Sequence, residues 1–331
     1  MKIAYLINVG LSVSPYNGIR IQAETWADEL ERQGHEVVRI NPWKTIVWEE
    51  FDVVHCIGAD RATDVLLMSL SKRCKNIMFS PVIDSIEPIG MYRFATLWGS
   101  KRFRLYSVNY AIRLSKPYIG KWFVRSQYEF EYVNKAYNVP AESISIIPLS
   151  FRTPICEKYP EKEPFCLHVS MLTDGRKNVL RLLEAAVKYQ FKLVLAGSVR
   201  SNEEFAPLKC IIEANDNITY LGSVSDERLI ALYKRAKVFA LPSINEGVGM
   251  VAVEAASYGC DIVVTEIGGP KEYYSDMAYV VNPYNVDEIG KAVMNAMSES
   301  RFQPRLQKYI QDNYNLETCV GKMVNEYMRN R

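Results

Sequence analysis

The 331-residue sequence has three histidines, no Cys-x-x-Cys pair, no Asp-x-Asp and no apolar run of bilayer-spanning length. Each absence closes a line of chemistry. His35, His55 and His168 stand apart, which suits helix-end, strand or core positions, and no metal site is expected. Without Asp-x-Asp there is no evident carboxylate clamp for a metal-bound diphosphate. The seven cysteines (56, 74, 156, 166, 210, 260 and 319) form no pattern, which fits a reducing compartment and small core side chains. The first residues, Met1–Asn8, lack the h-region and cleavage site of a signal peptide, so a cytoplasmic protein is expected. Lys and Arg number 40 against 38 Asp and Glu, a net charge of +2 that exerts no general pull on nucleic acid.

What the chain does have is length for two cores and a repeated alternation of strand and helix signals. In the first half, strands are predicted at 3–7, 36–40, 52–57, 76–79, 122–124 and 144–147. Helices are predicted around 19–30, 62–72 and 129–137. The stretch 152–164 carries three prolines among mixed charges and reads as a linker. A second alternation follows, with strands at 166–170, 192–196, 218–221, 238–241, 261–265 and 278–281. Helices fall at 179–189, 227–236, 249–258, 286–298 and 302–312, and a last one at 316–329. The expected fold class is α/β, with an N-terminal domain 1–150, a linker 151–164 and a C-terminal domain 165–314. Segment 315–331 can pack on either.

The most informative residues are Glu246 and Glu254, eight apart in Ser243-Ile-Asn-Glu-Gly-Val-Gly-Met-Val-Ala-Val-Glu-Ala-Ala256. Glu246 falls in a strand-to-helix loop, and Glu254 about a turn and a half inside the helix. Helical side chains lean back toward the N-terminus, so Glu254 is aimed at the space above that loop. Gly247 and Gly249 let backbone approach a ligand, and the helix N-terminus offers amides to an anion. Two carboxylates flanking an anion-binding loop suit a nucleotide sugar. Gly247-Val-Gly-Met-Val-Ala252 also fits a dinucleotide fingerprint with Glu266 as ribose acid, which leaves an NAD(P)-dependent oxidoreductase as an alternative. A two-lobed sugar-binding protein without catalysis is the other alternative.

Several segments in order resemble the retaining nucleotide-sugar glycosyltransferases of family 4: Lys177-Asn-Val-Leu-Arg-Leu-Leu-Glu-Ala185, Phe191–Gly197, Ile218–Gly222, Leu241-Pro-Ser243, Glu246-x7-Glu254 and Ile267-Gly-Gly-Pro-Lys-Glu272. The resemblance implies a GT-B fold, two Rossmann-like parallel-sheet domains facing each other across a cleft. It implies transfer of a sugar from a nucleoside diphosphate to an acceptor hydroxyl, in surface polysaccharide, glycolipid or glycan synthesis, with no cofactor and no metal. By position, Glu254 is implied on the donor ribose and Glu246 on the transferred sugar. Gly247, Val248, Gly249 and Met250 are implied as backbone donors, and Lys177, with Arg176, on the leaving diphosphate. Gly18 and Asp84 are implied on the donor from the N-terminal domain. Three positions depart from the family pattern: Ser170-Met171 replaces Gly-Arg, Asn17-Gly18 replaces a glycine pair, and Ile83 stands where a histidine precedes Asp84.

Between Pro88 and Tyr128 there is no acidic residue, while Arg93, Lys101, Arg102, Arg104, Arg113, Lys116, Lys121 and Arg125 are basic and aromatics are interleaved. This asymmetry suggests peripheral contact with an anionic membrane through residues 93–125, or a lipid-linked acceptor. A solvated basic face is the alternative, and no motif supports nucleic-acid binding.

Overall fold

The computed structural model describes residues 1–8, 17–100 and 105–330. The chain divides into two compact units. Unit 1 comprises residues 1–83, 87–149 and 316–331, and unit 2 comprises 84–86 and 150–315.

Unit 1 is built on six parallel strands, β1 (Lys2–Ile7), β2 (Glu36–Arg39), β3 (Val53–Ile57), β4 (Ile77–Ser80), β5 (Lys121–Val124) and β6 (Ile144–Ile146), in the order β2-β1-β3-β4-β5-β6. Five helices connect them: α1 (Gly18–Arg32), α2 (Thr63–Leu70), α3 (Ile89–Leu97), α4 (Val108–Ser115) and α5 (Gln127–Glu131), the last continuing as a wider turn over Tyr132–Ala136. Successive strand residues face opposite ways. Ile3 and Tyr5 accordingly join one core with Trp26 and Leu30 of α1, whereas Ala4 joins the other with Leu67 and Leu70 of α2. The final helix, α12 (Leu316–Arg329), buries Cys319, Val320, Met323, Val324 and Tyr327 in unit 1. Its Tyr327 hydroxyl meets His55 Nδ1 at 2.6 Å, and His55 Nε2 meets Ser80 Oγ at 2.8 Å.

Unit 2 repeats the plan with β7 (Glu163–Val169), β8 (Leu193–Ala196), β9 (Ile218–Tyr220), β10 (Ala236–Leu241), β11 (Asp261–Thr265) and β12 (Tyr279–Val281), in the order β12-β11-β10-β7-β8-β9. Its helices are α6 (Val179–Tyr189), α7 (Asn202–Glu213), α8 (Asp226–Arg235), α9 (Met250–Ser257), α10 (Val286–Ser298) and α11 (Arg305–Tyr314). The α/β reading with two Rossmann-like parallel sheets is what the structure has.

Some elements differ from the sequence reading. The stretch predicted as a linker is held by unit 2: β7 already begins at Glu163, and the Tyr258 hydroxyl donates to Pro154 O at 2.7 Å. Three helices had not been foreseen. α3 is apolar nearly all round, so it has no readable stripe, and α7 contains Pro207. α4 lies within the stretch read for its charge.

Candidate active site

In unit 2 the chain runs from β7 outward through β8 and β9, then returns to place β10 on the other side of β7. At such a reversal the loops leaving two adjacent strands diverge, and a crevice opens at their carboxyl ends. Those loops are residues 170–178 after β7 and 242–249 after β10. They are tied together: Ile244 N donates to Arg176 O at 2.8 Å, and the Asn178 amide donates to Pro242 O at 2.9 Å and to Pro283 O at 2.6 Å. Asn178 sits at φ 59°, a left-handed conformation that Asn adopts more readily than most residues. One buried side chain thereby fastens the loops following β7, β10 and β12.

Lys177 closes a short turn, Gly175–Lys177, one residue before Asn178. Its Nζ lies 2.5 Å from Glu246 Oε2, which also accepts from Ser243 Oγ at 3.2 Å. The loop carrying Glu246 is shaped by missing side chains. A Cβ on Gly249 (φ +76°) would lie 2.8 Å from Leu241 Cδ2 and 3.3 Å from Glu246 Cγ, and one on Gly268 (φ +84°) would lie 2.7 Å from Glu246 O. Gly249 also precedes α9 without a side-chain cap, so the helix opens on backbone amides beside Glu246. Val248 is buried, while Gly247 and Met250 are partly exposed.

Beneath the loops lies His168, fully buried. Its Nδ1 is 2.8 Å from Ala240 O and its Nε2 2.7 Å from Ser170 Oγ. A carbonyl only accepts, so Nδ1 carries the proton and Nε2 accepts from the hydroxyl. Burial lowers its pKa to about 4, which keeps the ring neutral. Ser170 is pressed in turn against Gly197 (φ +135°), where a Cβ would stand 1.8 Å from Ser170 O.

Of the other expected site residues, Arg176, Glu254 and Asp84 belong to unit 2 and Gly18 to unit 1. Arg176 turns to Asp174, with Nη2 2.6 Å from Oδ2, and remains mostly exposed beside Lys177. Glu254 is 1% exposed; Arg152 Nε and Nη2 both lie 2.9 Å from its Oε1, and the Tyr233 hydroxyl lies 3.4 Å from its Oε2. Burial pushes its pKa up, against the opposing charge and hydrogen bonds of Arg152. Asp84 is grouped with unit 2, its backbone O accepting from Asn245 Nδ2 at 3.1 Å. Ile83 is a buried core residue of unit 1, its N donating to Glu129 Oε1 at 2.6 Å, so no side chain there replaces an imidazole in a site. Gly18 opens α1 in unit 1, where Asn17 Oδ1 already caps the amides of Ile19 and Arg20 at 2.9 and 3.3 Å. Sequence reasoning missed Arg152, Asn178, Ser243 and Tyr233. Asn178, an Asn directly before a helical run, carried a cap-like signal, but nothing in spacing joins Arg152 to Glu254.

Residues 156–313 match the family described as Glycosyl transferases group 1. The chain is 25% identical over 306 residues to Uncharacterized glycosyltransferase MJ1607 of Methanocaldococcus jannaschii, covering 84% of this chain and 75% of that protein. It is 25% identical over 218 residues to O-antigen chain mannosyltransferase B of Escherichia coli, covering 58% and 56%. Anabaena Alr3699/HepE, solved in complex with UDP, superposes with a TM-score of 0.73 at 15% identity, covering 99% of this chain and 100% of that one. The oxidoreductase and non-catalytic alternatives give way. The chain has the GT-B fold and is an enzyme of glycosyltransferase type.

Proposed function

We propose that the enzyme transfers a sugar from a nucleoside diphosphate to an acceptor hydroxyl of a glycan or lipid-linked glycan, with anomeric configuration retained. The observation that carries this reading is the Lys177–Glu246 pair at the strand reversal, beside the uncapped first turn of α9. A cation and helix amides converge where a diphosphate would develop charge as it leaves, and a carboxylate stands beside them for sugar hydroxyls. In the transfer the bond from the sugar's anomeric carbon to the phosphate oxygen breaks. A bond to the acceptor oxygen forms on the same face, and the acceptor proton leaves with the diphosphate. Lys177 exchanges its partner Glu246 for phosphate when donor binds. Glu246 is then released to the sugar.

Relatives favour this chemistry: the Anabaena protein is solved with UDP, and the Escherichia coli one is an O-antigen chain mannosyltransferase. The missing Asp-x-Asp motivates a reaction that needs no metal, so turnover is expected to persist in EDTA. Complete loss restored by magnesium or manganese would assign the diphosphate charge to an ion instead. A thermal-shift panel of UDP, GDP, ADP and NAD tests the donor class, because ligand affinity for the folded state raises Tm. Stabilisation by a nucleoside diphosphate is expected. A response to NAD alone overturns the reading.

Peripheral membrane contact finds its support in α3 more than in the basic stretch as a whole. Lys116, Lys121 and Arg125 are engaged within unit 1, by Tyr137 O and Asn138 O, by Glu142 O and Glu326, and by Glu129. Lys101, Arg102, Phe103 and Arg104 lie outside the described residues. α3 packs through Tyr92 and Thr96, while its Met91, Phe94 and Leu97, with Trp98 just past its end, point to solvent beside exposed Arg93. Among the described residues no helix is long and apolar enough to cross a membrane. An apolar, aromatic face with a basic neighbour suits the headgroup region of an anionic bilayer.

A further inference from the structure

The chain enters unit 2 through Ser150-Phe-Arg-Thr-Pro154, a stretch without helix or strand that is nevertheless firmly held. Phe151 N donates to Tyr314 O at 3.1 Å, Arg152 binds Glu254, and the Tyr258 hydroxyl donates to Pro154 O at 2.7 Å. Arg152 meets α9 at its middle, and Pro154 meets Tyr258 just past its last residue, so the segment runs alongside the C-terminal half of the helix. The N-terminal end of α9 follows β10 and carries the Glu246 loop. Glu254 is the fifth residue of α9, and its side chain leans back toward the same end.

The two members of the ion pair differ in what they can touch. The Glu254 side chain is 1% exposed, and the Arg152 side chain is 37% exposed. Glu254 is enclosed by Arg152 and by Tyr233, itself fully buried and stacked on Tyr258 with ring centroids 6.1 Å apart. Arg152 spends Nε and Nη2 on a single carboxylate oxygen. A guanidinium has five N–H donors, more than one carboxylate oxygen can use, and this side chain keeps 37% of its surface exposed. A buried carboxylate that grips one edge of an exposed arginine fixes the direction of the other edge.

We propose that Arg152 is a donor-binding residue of this enzyme, its outer edge donating to oxygens of the nucleoside diphosphate, and that Glu254 is a positioning residue acting through it. This rests on the nucleotide-sugar reading of the same site. It assigns the second carboxylate of the Glu-x7-Glu spacing an indirect role. The contact it replaces, Glu254 on ribose, would require the ligand to displace Arg152 from a carboxylate it otherwise hides.

Calorimetry on the full chain tests this, using whichever of UDP, GDP or ADP stabilises the wild type, together with its nucleoside. If none binds the wild type, the nucleotide-sugar reading fails before Arg152 is questioned. If one binds, Arg152→Ala is expected to raise its Kd at least about ten-fold, the scale of a charge-assisted contact. A loss confined to the diphosphate puts the guanidinium on phosphate oxygens, and an equal loss with the nucleoside puts it on ribose or base. Both results support direct contact. Because Arg152→Ala leaves a buried charge without its partner, its Tm is expected to fall. The double variant Arg152→Met/Glu254→Leu is expected to recover Tm and to bind no more tightly than Arg152→Ala. Arg152→Lys, which keeps charge but not the fork, is expected to restore affinity in part. The proposal is overturned if Arg152→Ala binds as well as wild type. It is overturned equally if the double variant regains affinity together with stability, or if Glu254→Gln loses more affinity than Arg152→Ala.

Discussion

At the scale of single residues, two adjacent cations have been given different surroundings. Lys177 faces Glu246 inside the crevice, while Arg176 is held outward by Asp174. Lys177→Ala is therefore expected to weaken diphosphate binding by ~1.5–3 kcal/mol, with a much smaller loss for the nucleoside. Arg176→Ala is expected to stay within about 0.5 kcal/mol for both, as exposed substitutions usually do. Titrations of the two variants against nucleoside and diphosphate check this; equal losses for Lys177→Ala would remove it from the phosphate. A second residue gives a pH signature. Asp261 is buried at the start of β11 with Oδ1 lacking a hydrogen-bond partner, and burial raises its pKa from 3.8 to about 7, against Lys237 and Lys162. An acid whose folded pKa is raised binds its proton better when folded. Its stabilising contribution is complete below the unfolded pKa and is lost as pH rises through about 7. Wild-type Tm is thus expected to decline from about pH 5 to pH 8 more steeply than that of Asp261→Asn. Parallel Tm profiles would show that Asp261 does not govern this range.

At the scale of elements, legibility followed how local each cause was. The β10–α9 unit could be read because its strand, glycines and both carboxylates are contiguous, from Ala236 to Ser257. α3 could not, because its one polar-to-apolar contrast is reversed: Tyr92 and Thr96 face inward while Phe94 and Trp98 face water. Arg152 was equally hidden, since its partner lies 102 residues away and its own neighbourhood looks like a proline-broken linker. The exposed face of α3 makes a measurable claim. Trp and Phe anchors add a salt-insensitive term to the attraction of basic groups for an anionic leaflet, which alone would be screened within about 10 Å at 0.1 M salt. Co-sedimentation with anionic vesicles is expected to weaken with salt but not vanish. Phe94→Ser/Trp98→Ser is expected to abolish the salt-resistant part without lowering Tm, because both side chains are exposed. Binding that disappears fully at high salt would leave electrostatics alone, and a concentration-dependent dimer lost in the same variant would make α3 a protein contact.

At the scale of the whole molecule, alternating strand and helix signals were enough to give two parallel six-stranded sheets, since each strand–helix step is a local pattern. Which unit the last helix would join was open, because α12 is amphipathic and could cover either. Its partners decide: Tyr327 meets His55 and Tyr5, at 2.6 and 3.2 Å, and Lys121 pairs with Glu326 at 3.2 Å, all within unit 1. His55 is held neutral by burial, its pKa lowered to about 3, so the network relies on hydrogen bonds, not on a charged imidazole. The chain thus finishes unit 1 after unit 2 has been made. Removing α12 exposes the core it covers and strips His55 Nδ1 of its partner. Each lost apolar burial costs ~1.5–3 kcal/mol, so the sum over Val320, Met323, Val324 and Tyr327 approaches the ~5–15 kcal/mol stability of a domain. Unit 2 ends at Asn315, and its last helix, α11, buries Leu306 and Ile310 ahead of that point. A chain ending at Asn315 is therefore expected to lose slow amide exchange in β1, β3 and β4 while keeping it in β7, β8 and β10. Hydrogen exchange resolved by peptide distinguishes the outcomes. Protection retained in both units would make α12 a dispensable cover, whereas protection lost throughout would mean that unit 2 does not hold its fold without a complete unit 1.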